Sequence, residues 1–208
     1  MKNIIKDALI LFLITAFAGV LLAVVNEVTK QPIADMQAKA KEEALKSVFE
    51  GDGIVFTQAE LLTVSENALV SDWEEEYGTR NRIDEVYLAS DAAGTLQGYV
   101  LTVTNKEGYG GEITFSMGVT LDKVLNGISI LETSETVGLG LEAETVLAPQ
   151  FAGKQVDAFT YTKNGAINDS EVDAISSATI STNAYVNGVN AGLAYFDLLN
   201  EKGGESNE

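Results

Sequence analysis

The chain has 208 residues, a net charge of −18 at pH 7, and neither cysteine nor histidine. This excludes thiol nucleophiles, disulfides, iron–sulfur clusters, haem ligated by His or Cys and the commonest zinc sites, so any redox chemistry must rest on a bound organic cofactor. Beyond Lys30 there are 10 basic against 29 acidic residues, which excludes a nucleic-acid partner and reads as a hydrated surface.

Ala8 to Val25 runs without a charge, interrupted only by Thr15 and Gly19. At about 1.5 Å per residue such a helix spans roughly 27 Å, the hydrocarbon thickness of a bilayer. Lys2 and Lys6 precede it, so the expectation is a single-pass anchor in the cytoplasmic membrane, N-terminus inside and the remaining chain on the extracytoplasmic side. A cleaved signal peptide is the competing reading, but Ala23-Val24-Val25-Asn26 offers no small-x-small cleavage site. The expected organisation is a stub and anchor over 1–29, a connecting helix over 30–50, a domain over 51–200 and a flexible tail over 201–208.

In the connecting segment Ile33, Met36, Ala40, Ala44 and Val48 recur at three- and four-residue spacings among charged residues, which predicts an amphipathic helix packed on the domain. Gly51 and Gly53 end it. A helix-or-loop region to about Tyr77 carries the acidic run Glu74-Glu75-Glu76, a solvated face. Strands are then predicted at Val86–Ala89, Leu96–Thr104, Glu112–Thr120 and Gly127–Leu131. The turns between them, at Asp91–Gly94, Asp122 and Asn126-Gly127, are short enough to make the strands antiparallel. Leu141–Phe151 reads as a short helix stopped by Pro149 or shortly after it, Gln155–Tyr161 as a further strand, and Ser181–Leu199 as a helix with Tyr185, Val186, Val189, Leu193 and Phe196 on one face. Gly203-Gly204 should end the order. The fold class is α+β: a mainly antiparallel sheet with flanking helices after one transmembrane helix.

Just before the last helix stands Asp173-Ala174-Ile175-Ser176-Ser177-Ala178-Thr179. It resembles the pattern Asp-x-x-Ser/Thr-Gly/Ser-Ala-Thr, at which FMN is attached through its phosphate to the threonine hydroxyl. A phosphoester needs an exposed hydroxyl, donors for the phosphate oxygens and a cleft for the ring. Thr179 supplies the hydroxyl ahead of a predicted N-cap at Ser181 or Thr182, where free N–H groups and the helix dipole favour an anion. Ser176, Ser177 and Ser181 add hydroxyl donors, and the small Ala178 permits close approach. An ordinary Ser/Thr-rich capping loop is the plainer reading of this string alone.

A second segment, Glu135-Thr136-Val137-Gly138-Leu139-Gly140, lies upstream, followed by Gln150-Phe151-Ala152-Gly153-Lys154. Gly138 and Gly140 allow close approach to a flat ligand; Thr136 offers a neutral hydroxyl and Leu139 an apolar cover. A carboxylate at Glu135 would disfavour anionic reduced flavin, which suggests a structural hydrogen bond for it. The segment lacks the Walker A and dinucleotide signatures, and a strand-to-helix connector is its plain alternative.

With Gly108 to Gly111, these segments are similar in order and spacing to the FMN-binding domain shared by the G-type subunit of the Rnf electron-transport complex and the C-type subunit of the sodium-translocating NADH:quinone reductase. The family patterns are Gly-Tyr-x-Gly, Glu-Thr-Pro-Gly-Leu-Gly, Gln-Phe-x-Gly-Lys and Asp-x-x-Ser-Gly-Ala-Thr. Val137 replaces the loop proline, Ser177 the glycine beside the attachment site, and Thr133 a frequent histidine. The resemblance implies an electron-carrier subunit of a ferredoxin:NAD oxidoreductase complex coupled to sodium or proton translocation. It implies FMN covalent on Thr179, no catalytic acid, base or metal of its own, and Asp173 as part of the pattern read by a flavin transferase. Other membrane and cytoplasmic subunits of the complex are the implied partners. The equivalent quinone-reductase protein and a cofactor-free membrane-tethered interaction domain are the alternatives.

Overall fold

The computed structural model describes residues 2–49, 51, 53–63 and 68–205. The chain divides into two units, Met1–Glu42 and Glu43–Glu208.

The predicted anchor and connecting segment form one helix, α1 (Lys2–Val48), which continues through Pro32. Its apolar stretch is long and apolar enough to cross a membrane, and its large side chains, such as Phe12, Phe17 and Leu22, are exposed. The hydroxyls that interrupt the apolar pattern are satisfied within the helix. Thr15 Oγ1 donates to the carbonyls of Leu11 and Phe12 at 3.0 Å, and Thr29 Oγ1 to that of Val25 at 2.8 Å. Back-bonding of this kind spares a lipid-facing helix an unpaired polar group. Of the predicted stripe, Ile33 and Met36 are exposed, while Ala44 and Val48 are buried together with Leu45.

In the second unit β1 (Val55–Ala59), β2 (Asn81–Ser90), β3 (Leu96–Gly108), β4 (Gly111–Thr120) and β5 (Leu125–Thr133) form an antiparallel sheet in sequence order. Alternation sends Leu101, Val103, Phe115 and Met117 to one face and Val100 and Ala89 to the other, where Leu45, Val48 and Phe49 cover them. The first face carries α4 (Thr179–Glu205), which buries Tyr185, Val189, Leu193 and Phe196. Each such side chain contributes roughly 1.5–3 kcal/mol on burial. The helix α2 (Ala68–Glu76) docks on α4 through Trp73, whose indole N–H donates to the Ala191 carbonyl at 2.9 Å.

Several predicted elements take a different form in the structure. β1 replaces part of the expected helix-or-loop region; it is an edge strand with Val55 exposed, so it shows no clear alternation. The 141–151 helix is really three pitches in succession: a 3-10 turn at Gly140–Glu142, a π turn at Ala143–Leu147, and α3 (Ala148–Phe151). Pro149 sits in the first turn of α3, where its missing N–H costs nothing. The strand expected at Gln155–Tyr161 shrinks to β6 (Thr160–Thr162), paired in parallel with a strand the pattern did not predict, β7 (Glu171–Asp173). At its far end α4 continues through Gly203-Gly204 to Glu205; the rest of the expected frayed tail, 206–208, lies outside the described residues.

Tyr185 shows what this core demands of a polar group. Burial pushes its phenol up to about 12, the carboxylates of Glu135 and Glu144 adding to the shift and the Thr133 hydroxyl opposing it from outside hydrogen-bonding geometry. Because the unfolded phenol ionises near 10, stability is fully present below pH 10 and falls as pH rises toward 12. The loss is on the order of 2–3 kcal/mol. Tyr185→Phe should remove that alkaline loss and cost little at pH 7, since it deletes a buried hydroxyl without a partner. Urea unfolding at pH 7 and pH 11 tests this; an equal alkaline loss in the Phe variant would contradict it.

Candidate functional site

Three separate stretches of chain meet at the start of α4. The β3–β4 hairpin contributes Tyr109 and Gly110, the stretch after β5 contributes Glu135 to Gly140, and the loop after β7 contributes Ser177 to Ser181. Between them lies a cavity of about 340 Å³ lined by Tyr109, Glu135, Thr136, Leu139, Ser177, Ala178, Thr179, Ile180 and Ser181. A shallower hollow of about 430 Å³ adjoins Thr179 and Ile180 and adds Glu107, Tyr161 and Asn183. Both are within the size range of small-molecule sites. A larger hollow of about 490 Å³ lies beside Trp73 and Tyr195 and contains none of the predicted residues.

The helix starts two residues earlier than predicted. Thr179 is its first residue, and the hydroxyls expected to cap it are engaged elsewhere. Ser181 Oγ donates to Glu135 Oε2 at 2.8 Å. Thr182 Oγ1 accepts from the Ile175 N–H at 3.1 Å and donates to the Ala178 carbonyl at 2.9 Å. Neither serves as N-cap, and the amides of Thr179, Ile180 and Ser181 have no backbone acceptor among the described residues. A helix start with open N–H groups is a ready anion site. Thr179 is half-buried, and Ser177 before it takes φ +61°, a conformation that costs a non-glycine residue about 1 kcal/mol. The family glycine that Ser177 replaces thus stands where the backbone is left-handed.

Glu135 is 7% exposed and ties all three stretches together. Its Oε2 accepts from Ser181, and its Oε1 from the Gly110 N–H at a long 3.4 Å. Gly140 packs directly on this contact: a Cβ there would lie 2.4 Å from Glu135 Oε2 and 2.6 Å from Ser181 Oγ. Gly138 has a different reason to be glycine. Its φ is +77°, and a Cβ would meet nothing within 4 Å. Close approach is thus required of Gly140 towards protein atoms, and a left-handed turn of Gly138.

The cavity therefore gathers Glu135, Thr136, Leu139, Ser177, Ala178 and Thr179 of the predicted residues; Ser176 is exposed, and with Gly138 and Gly140 stands outside the lining. Asp173 is not at the cavity. Its Oδ1 accepts from the Ala166 N–H at 2.8 Å, and Gln150 grips its backbone, the side-chain oxygen accepting from Asp173 N at 2.6 Å and the amide donating to Asp173 O at 3.1 Å. Lys154 Nζ donates to the Glu171 carbonyl at 3.1 Å. The Gln-Phe-x-Gly-Lys segment is in effect a clamp on β7. Tyr109 and Ile180 were missed as lining residues, although Tyr109 belongs to the Gly-Tyr-x-Gly pattern that marked the hairpin.

The walls fit FMN in kind. Tyr109, Leu139, Ala178 and Ile180 offer apolar faces to a flat ring, Thr136 and Ser177 offer hydroxyls, and the open amides beside Thr179 suit a phosphate. Residues 108–194 match the FMN-binding domain family, and residues 1–48 match the RnfG N-terminal region. The G subunit of the Na(+)-translocating ferredoxin:NAD(+) oxidoreductase complex of Acetobacterium woodii is 30% identical, over 96% of this chain and 95% of its own length. The G subunit of an ion-translocating oxidoreductase complex of Methanosarcina acetivorans is also 30% identical, over 93% and 95%. The crystal structure of Shewanella oneidensis NqrC shares the fold, with a TM-score of 0.56 at 17% identity, over 80% of this chain and 98% of that one.

Proposed function

Since the chain belongs to the RnfG family of ion-translocating oxidoreductase complexes, we propose that it carries FMN as a phosphoester on Thr179. Its function is that of the family: an electron-carrying subunit of a membrane-bound ferredoxin:NAD oxidoreductase complex, without independent catalytic activity. The observation that carries the FMN assignment is the cavity on which Thr179 and the Glu135–Leu139 segment converge. Peptide mass mapping of protein matured in its host should place one FMN on Thr179; an adduct on Ser176, Ser181 or Thr182 instead overturns the assignment.

When bound, FMN supplies the reversible electron chemistry. The protein's part is to hold and surround it. The amides at the head of α4 would hold the phosphate, Tyr109, Leu139 and Ile180 would shield the ring from water, and Glu135 with Ser181 fixes the loop against the helix. The match of residues 1–48 to the RnfG N-terminal region favours this complex over the quinone reductase; likeness to NqrC extends to the fold alone.

Maturation requires a flavin transferase, which reads Asp173. Since the Asp173 carboxylate also braces Ala166, the two roles separate by substitution. Asp173→Asn keeps an acceptor for Ala166 and should lower FMN attachment several-fold with Tm within about 2 °C of the parent. Attachment at the parental level in that variant would leave Asp173 a brace only.

The domain lies on the extracytoplasmic side, as Lys2 and Lys6 before the apolar helix direct. Protease added to intact spheroplasts should therefore digest it. Protection until lysis would reverse the topology.

A further inference from the structure

Glu135 is a buried carboxylate without a cation. Among the described residues no Lys or Arg forms an ion pair with it. Its partners are one hydroxyl, from Ser181, and one distant amide, from Gly110. In its ionised form a carboxylate held by so few donors keeps much of its field, because little water or counter-charge screens it. The groups around it do not compensate. Tyr109 and Thr136 are neutral cavity neighbours, and Glu144 adds a charge of the same sign, felt together with that of Glu135 by Tyr185 on α4. The position is also costly to build: Gly108, Gly110 and Gly140 all lack the Cβ that would strike Glu135 or the backbone beside it. A hydrogen-bonding clasp alone is available to a neutral glutamine of the same length, so the charge needs its own account.

We infer that the Glu135 carboxylate acts as a fixed negative charge on the cavity wall and holds the midpoint potential of the bound flavin low. This rests on the assignment of FMN to Thr179. Reduction adds negative charge to the cavity, and a like charge on the wall disfavours that addition. Glu135 acts through its charge and not as an acid or base; it is a positioning and tuning residue.

The test uses full-length protein, flavinylated by its transferase, with the Thr179 adduct first verified by peptide mass. Absence of that adduct in the parent would overturn the underlying assignment and this inference with it, whereas a failure of the inference alone shows only in the potentials below. With the adduct in place, Glu135→Gln removes the charge and keeps the shape. Its midpoint potential, read by spectroelectrochemical titration, should move to a more positive value. Glu135→Asp keeps the charge but shortens the reach to Ser181. Its Tm should fall while its potential stays close to the parental one. An unchanged potential in the Gln variant, or an Asp variant displaced as far as the Gln one, would reduce Glu135 to a clasp. Should the Gln variant not fold, the Asp variant still tests the inference: a potential shifted while the charge is kept overturns it.

Discussion

Thr179→Ala should yield a folded protein with no covalent flavin. The hydroxyl is the only atom of that side chain the linkage needs, and the residue is half-buried at the first position of α4, outside the sheet–helix core. The loss of adduct should be complete, whereas Tm should change by no more than about 2 °C, as for substitutions away from the core. Intact mass and flavin fluorescence in a denaturing gel measure the first, and thermal unfolding the second. Thr179→Ser, which restores a hydroxyl, should recover part of the adduct. A Thr179→Ala protein that still carried one FMN, moved to Ser177 or Thr182, would show that the transferase reads the loop and not this hydroxyl.

Gly140→Ala should destabilise the domain strongly and act directly on the Glu135–Ser181 contact. The added carbon would sit 2.4 Å from Glu135 Oε2 and 2.7 Å from its Cδ, so the carboxylate must leave Ser181 or the loop must move. Overpacking costs about 1–3 kcal/mol, and the lost hydrogen bond to a charged group about 1.5–3 kcal/mol. A combined loss on the order of 3–5 kcal/mol lowers Tm by roughly 10 °C in a domain of this size. Gly138→Ala, whose Cβ meets open space, loses only what its left-handed backbone costs, about 1 kcal/mol. Thermal unfolding of the two variants side by side checks the contrast; equal losses would mean that the Glu135–Ser181 contact is not what Gly140 protects.

The parts of the fold that follow from local pattern were legible in the sequence. Eighteen uncharged residues, Ala8 to Val25, marked the membrane helix, and alternation with short turns marked four of the five strands and their antiparallel pairing. What escaped depended on partners far along the chain. β1 is an exposed edge, without the alternation that one-sided burial writes into a strand. β7 is three residues long and exists because β6 and the Gln150 amide both pair with it. Ser181 and Thr182 look like caps in any one-dimensional reading. Ser181 instead faces Glu135, 46 residues away, and Thr182 serves Ile175. The segments around Thr179 and Glu135 stood out in the sequence, but not that Tyr109 from a distant hairpin completes the cavity they line.

On the attachment proposed above, the position of Thr179 at the head of a 27-residue helix would tie maturation to conformation. A phosphodiester formed there leaves one negative charge where the aligned peptide dipoles present their positive end, a placement worth about 0.3–1 kcal/mol. In an unfolded chain the same linkage meets no dipole. By the closure of the thermodynamic cycle, whatever the helix contributes to the bond, the bond contributes to the helix. The native chain is then the favoured acceptor by a factor of roughly two to five, and a chain that has received its flavin is held more firmly in the shape that received it.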